Sequence, residues 1–169
     1  MRKLTILKSL IDFVWIVTCI PAILLLLFFT VYMFIEPEVL KMVFETENTL
    51  IQTSTATVQI LGLLYIFVCF VSIYCVYLFR KTIIYFQKVQ PFHTYVIDNY
   101  YKIGYLLIGI GISFSVLYFL AQLFLTTEFK IHIGWSPYLM IICLGLFFMV
   151  LSEVFKVAKH TREENELTI

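Results

Sequence analysis

Charge is scarce in this chain. Only 14% of its 169 residues are Asp, Glu, Lys or Arg, where a soluble globular domain carries about a quarter. Hydrophobic residues make up 62% and the mean hydropathy is +0.96, more apolar surface than a soluble core of this length can hide, so one integral membrane domain is expected. Neither sign of charge dominates. A formal net charge of +1 argues against direct nucleic-acid binding, which needs a basic face to neutralise phosphates. Cysteines are few and uninformative: Cys19, Cys69, Cys75 and Cys143 lie inside apolar runs without CxxC spacing, which reads as small apolar residues rather than a zinc site or disulfide framework. No HExxH, GxSxG or Gly-rich phosphate loop occurs. His93, His132 and His160 are too scattered to share a metal, and the acidic loop Glu36, Glu38, Glu45 and Glu47 lacks the DxDxDG pattern that wraps calcium. No apolar run carries an ionisable residue near its middle, which argues against a coupled transporter. The expectation is a protein that is no enzyme and needs no cofactor or metal.

What is there is a set of charge-free runs. Phe13–Ile35 gives 23 residues, Asn48–Phe79 gives 32 with its apolar part beginning near Val58, Ile103–Thr127 gives 25, and Ser136–Ser152 gives 17. A helix needs about 20 residues to cross about 30 Å of hydrocarbon. The last run reaches that length by continuing through Glu153 into Val154 and Phe155, because Ser136-Pro137 is a helix-start signal, with Ser as N-cap and Pro at the first helical position. "SLID" at Ser9–Asp12 matches a capping box at the mouth of the first helix. That first run is too long for the apolar region of a cleaved leader and lacks a small-x-small site, so it reads as a retained anchor, kinked at Pro21. The predicted architecture is all-α: a single four-helix membrane domain with spans of approximately 12–35, 58–80, 102–126 and 137–155, followed by a tail at 156–169.

Positive charge orients the chain. Arg2, Lys3 and Lys8 precede the first span; Arg80, Lys81, Lys88 and Lys102 lie between the second and third; Lys156, Lys159 and Arg162 follow the fourth. The opposite side keeps Lys41 and Lys130 among Glu36, Glu38, Glu45, Glu47 and Glu128. Both termini are therefore expected in the cytoplasm.

Lipid supplies no water to drive helices together, so small residues and interhelical hydrogen bonds must do it. In "GYLLIGIGISFS" the pairs Gly109/Ser113 and Gly111/Ser115 are four residues apart and are expected to form a packing groove on a central third helix. The groove serves packing within the bundle more readily than a homo-oligomer. Gln59 and Gln122 fall at similar depth on opposed helices and are expected to bond to one another. The outer segment from Glu36 to Thr57 carries a short amphipathic stretch (Val39, Leu40, Val43, Phe44), read as a solvated connector with an interfacial turn. In the inner loop Pro91 stops the second helix and Thr94 caps the third. Glu153 is expected to pair with a basic residue such as Lys156 or Arg80.

The chain closes with "SEVFKVAKHTREENELTI". Lys156 and Lys159 suit an anionic inner surface, Thr161 and Glu164 have capping-box spacing, and Glu163, Glu164 and Glu166 lead to an apolar tip at Leu167 and Ile169. Basic-then-acidic order with an apolar tip suits docking on a partner, while a solvated terminus is the plainer reading.

This ending resembles the closing signature of a bacterial inner-membrane family catalogued as domain of unknown function 2975, in which an aliphatic-Glu-Val/Ile-Phe step is followed by a charged turn, acids and Leu-Thr-Ile. "QPFHTYVIDNYYKIGYLL" resembles the family's middle motif on Pro91 and Phe92; Asn99 stands two places later than that motif has it, and Gln90 replaces its Gly. The resemblance runs from about residue 10 to 169. It implies a four-helix prokaryotic membrane protein with no assigned reaction, often encoded beside a helix-turn-helix regulator of the Xre type, and so a regulatory or interaction role at the cytoplasmic membrane. The contact residues it suggests are Phe155, Glu163, Glu164, Glu166, Leu167 and Ile169, with Pro91 and Phe92 as a nearby platform. The alternative is a small transport or immunity component acting through its spans and outer loop.

Overall fold

The computed structural model describes residues 2–36, 54–87, 93–125 and 136–167, all helical apart from the residue flanking each helix. Helix α1 (Arg2–Val14) and α2 (Ile20–Ile35) form one rod joined by a π-helical turn at Trp15–Cys19; α3 (Thr55–Gln87), α4 (Thr94–Leu125) and α5 (Pro137–Leu167) follow. Four stretches, Ile6–Ile35, Thr55–Phe86, Thr94–Phe124 and Pro137–Asn165, are long and apolar enough to cross a membrane. This is the expected all-helical, multi-pass architecture. The helices outrun the expected spans, and the 33 residues of α3 measure about 50 Å against about 30 Å of hydrocarbon. Charged residues end a membrane crossing without ending a helix, so Arg80 and Lys81 sit well inside α3.

Local signals decide where the rods begin. At α5, Ser136 Oγ accepts the Leu139 N–H at 3.3 Å and Pro137 opens the helix, as its sequence predicts. At α4 the cap lies one residue earlier than expected: His93 Nδ1 accepts the Tyr95 N–H at 3.2 Å, and the Thr94 hydroxyl instead accepts Lys159 Nζ at 2.8 Å. "SLID" caps nothing, because α1 already begins at Arg2 and runs through it. Thr161 likewise lies mid-helix, where its hydroxyl donates back to the Val157 carbonyl at 3.1 Å. Where a kink at Pro21 is expected, the helix carries a π turn just before the proline, in which the Ile20 N–H reaches the Trp15 carbonyl. Proline lacks an N–H and its ring crowds the carbonyl four residues back, so the preceding turn widens.

The helices pack mainly on their neighbours in sequence. Val68, Cys75 and Leu78 of α3 meet Ile103 and Ile110 of α4 in the largest buried cluster, which Ile141 and Phe148 of α5 extend. α4 and α5 approach closest. A β-carbon on Gly104 would stand 2.6 Å from the Gly145 carbonyl oxygen, and one on Gly145 would stand 2.7 Å from that of Gly104. Each glycine thus admits the other's backbone. The first rod is the most loosely held, touching α3 through Ile11, Cys19 and Met33, the last packed on Val58 with Phe29 alongside. Much of its remaining apolar surface is exposed, including Phe13, Leu24, Leu25 and Phe28. In a membrane that surface faces lipid.

Candidate functional site

Alternating helix directions bring residues 8–19, 74–87, 93–103 and 145–165 to one end of the molecule, where the first described helix begins and the last ends. Its polar side chains make specific links. Thr82, Asn99 and Ser152 are fully buried: Asn99 Nδ2 donates to Thr82 Oγ1 at 3.2 Å, Thr82 donates to the Leu78 carbonyl at 2.8 Å, and Ser152 donates across to the Ile97 carbonyl at 2.8 Å. These bonds fix the register of α3, α4 and α5, since a buried polar group away from water must find a partner. Around them Phe79, Phe86, Tyr100, Phe148 and Phe155 pack ring to ring with centroids 5.6–6.0 Å apart.

A second link ties in the first rod. Arg80 Nε meets Asp12 Oδ1 at 2.6 Å, with both side chains about one-third exposed, and the guanidinium lies 5.9 Å from the centroid of the Trp15 ring. Trp15 in turn lies 5.7 Å from the ring of Tyr77. One residue on, Lys81 Nζ stands 5.3 Å from the centroid of the Tyr95 ring, and Tyr95 packs on Tyr85 at 4.6 Å. Cations held over aromatic faces at a membrane boundary are a stable arrangement, because the ring quadrupole replaces part of the lost hydration.

Beyond this junction α5 continues as a charged helix to Leu167. Glu153–Lys156 at 3.9 Å and Lys159–Glu163 at 3.6 Å form ion pairs one turn apart, and His160 Nδ1 lies 3.3 Å from Glu164 Oε1. The pairing of Glu153 with Lys156 is one of the two options its sequence offers; Arg80, the other, belongs to Asp12. Thr161 to Asn165 are exposed.

The proposed contact residues divide accordingly. Glu163 and Glu164 stand on the exposed end of α5, whereas Phe155 is half-buried, stacked on Tyr100 and edge-on to Phe86. Leu167 ends the described helix; Pro91, Phe92 and Ile169, like the side chain of Glu166 and the outer amphipathic stretch, lie outside the described residues. Of the packing residues, Gly111 lies against Ile142 and the Tyr138 carbonyl of α5, with room for no side chain. Gly109 faces away: a β-carbon there would meet nothing within 4 Å. The close approach is made by Gly104, with Gly111 seven residues on, so the groove follows a two-turn repeat. Ser113 is half-buried and Ser115 exposed. Gln59 Nε2 points to the Met33 carbonyl at 3.5 Å, joining the first rod to α3, and Gln122 is half-buried on α4.

Sequence reasoning missed Gly104–Gly145, Asp12–Arg80 and the Thr82–Asn99–Ser152 set. Gly104 opened the quoted small-residue segment and Asp12 bordered the first span, so both carried a signal. The pairing of Asn99 with Thr82 carried none. Among the described residues, no three His, Cys, Asp or Glu side chains come together in a metal-binding geometry.

Four helices long enough to cross a bilayer, joined at one end by buried polar links and continued by a charged helix, define a multi-pass membrane protein. Comparison places it further: residues 41–169 match the family described as "Protein of unknown function (DUF2975)", and the chain belongs to that family. The matched stretch begins later than the resemblance read from about residue 10, leaving the first rod outside it. Among curated proteins and among solved structures nothing matches.

Proposed function

We propose that the protein is an interaction protein of the bacterial cytoplasmic membrane, with both termini in the cytoplasm, whose α5 extension engages a soluble helix-turn-helix regulator of the Xre type. The observation that carries the reading is the unbroken course of α5 from Pro137 to Leu167, which places exposed Glu163 and Glu164 beyond the aromatic junction on a rigid stem. A helix already formed loses less conformational freedom on binding than a disordered tail. Its acids complement the basic surface that a DNA-binding partner uses against phosphate. The excess of Lys and Arg at this end supports the orientation, and the resemblance on Pro91, Phe92 and the closing residues supports the choice of partner.

The test is deletion of Glu163–Ile169 in the full chain. Membrane insertion is retained and recovery of the neighbouring regulator in pull-downs is lost; recovery at the intact level refutes the reading. Reporter fusions at residue 169 test orientation independently. A transport or immunity role would make Gln59→Leu and Gln122→Leu damaging and the tail deletion harmless.

A further inference from the structure

We propose that the seam between the first rod, α3 and α4, at the end where Asp12 meets Arg80, is a binding site for the phosphate headgroup of an anionic phospholipid. Arg80 and Lys81 are the first charges after the apolar run of α3, so they stand at headgroup depth. Their aromatic supports come from both sides of the seam: Trp15 of the π turn for Arg80, and Tyr95 of α4 for Lys81. Tyr77 and Tyr85 lie one turn before and one turn after Lys81 on the same helix face.

The charge balance of the seam is what calls for an anion. Asp12 engages Arg80 through Nε, while Lys81 hydrogen-bonds to the neutral Tyr95 hydroxyl and among the described residues no carboxylate pairs with it. The nearest acid along α4 from Tyr95 is exposed Asp98, which has Lys102 one turn further on. A phosphodiester offers two charged acceptor oxygens, suited to an ammonium and a guanidinium on consecutive residues at that depth. The surface below fits the rest of a lipid. Phe67 and Tyr74 precede Lys81 at intervals of seven residues, putting all three on one face of α3, and both are more than half exposed at 64% and 52%. An acyl chain lies along that stripe while the headgroup sits at Lys81. A soluble phosphate compound would gain nothing from it.

The experiment uses the full chain in mild detergent, with phosphatidylglycerol or phosphatidylcholine added and the bound lipid counted by native mass spectrometry. Phosphatidylglycerol is retained preferentially. Lys81→Gln weakens its apparent affinity about fivefold, the effect of one basic residue at a membrane surface, and Lys81→Arg restores it. Lys156→Gln, which removes an exposed cation of the same end outside the seam, changes it less than twofold. Equal retention of the two lipids overturns the proposal. So does an equal loss in Lys81→Gln and Lys156→Gln, which would mean diffuse surface charge, or competition by inorganic phosphate at comparable concentration, which would mean a headgroup site indifferent to acyl chains. Circular dichroism confirms that each variant keeps its helix; should Lys81→Gln not fold, Tyr95→Leu removes the support of the ammonium, and unchanged phosphatidylglycerol affinity in it refutes the site.

Discussion

A methyl group placed between α4 and α5 tests the packing argument most sharply. In Gly104→Ala the added carbon would stand 2.6 Å from the Gly145 carbonyl oxygen, 2.6 Å from Met149 Cγ and 2.9 Å from the Met149 nitrogen. The methionine chain can swing away, but the two backbone atoms cannot move without moving α5. Ordinary contact begins at 3.4 Å, so the helices must part by about 0.8 Å, and overpacking of this kind costs about 1–3 kcal/mol. Gly145→Ala makes the reciprocal demand on the Gly104 carbonyl and on Ile108. Since both substitutions ask for the same separation, the double variant should cost clearly less than the two single costs added together, by about 0.5 kcal/mol or more. Gly109→Ala is the matched control. It adds the same methyl to the same helix where nothing lies within 4 Å, and it should be neutral or stabilising by up to about 1 kcal/mol through helix propensity. The assay is equilibrium unfolding in mixed micelles of rising denaturing-detergent fraction, followed by circular dichroism. Equal effects of Gly104→Ala and Gly109→Ala would refute the close approach, and full additivity of Gly104→Ala with Gly145→Ala would refute a shared helix displacement.

The remaining predictions use the same assay. Asp12→Asn lowers stability by about 1 kcal/mol or less, the scale for a partly exposed ion pair, and Asp12→Arg combined with Arg80→Asp recovers at least half of the loss; no recovery would mean the pair is incidental. Ser152→Ala removes the bond to the Ile97 carbonyl and costs about 0.6 kcal/mol, the average measured for interhelical hydrogen bonds in membranes; a stabilised variant would contradict a registering role. Asn99→Ala costs more, about 1–3 kcal/mol, because it empties a buried site as well as breaking a bond. Lys159→Gln leaves Glu163 without its ion-pair partner and weakens the link to Thr94; local amide exchange at residues 94–97 should rise, whereas unchanged exchange would show that α4 needs no anchoring from α5.

Membrane class, helix count and the α5 cap were legible because each rests on local chemistry: long charge-free runs, and a Ser-Pro step whose hydroxyl and ring act within one turn. Helix lengths were less so. Hydropathy reports where the surroundings change from lipid to water, and α1, α3 and α5 carry their hydrogen-bond ladders straight through that change. The capping patterns at Ser9 and Thr161 failed for the same reason, since S/T-x-x-E spacing caps a helix only where the preceding residues leave it. Small-residue pairs four apart pointed to the right helix but, in part, to the wrong face. Gly109 and Gly111 are 200° apart on a helix, so one of them had to look away from α5, and only the placement of Tyr138 and Ile142 against Gly111 decides which. Partner choices such as Arg80 for Asp12, or Thr82 for Asn99, depend on distances between residues 68 and 17 positions apart, which spacing along the chain does not encode.

The widened turn at Trp15–Cys19 divides the first rod into two lengths with unlike attachments. Below it, α1 is joined to α3 by the Asp12–Arg80 ion pair, with Ile11 buried alongside; above it, α2 is joined by Met33 against Val58 and by the hydrogen bond from the Gln59 amide to the Met33 carbonyl. Salt screens the ion pair and leaves the apolar contact almost untouched. One rod thus answers to the ionic medium at its lower attachment and hardly at all at its upper one.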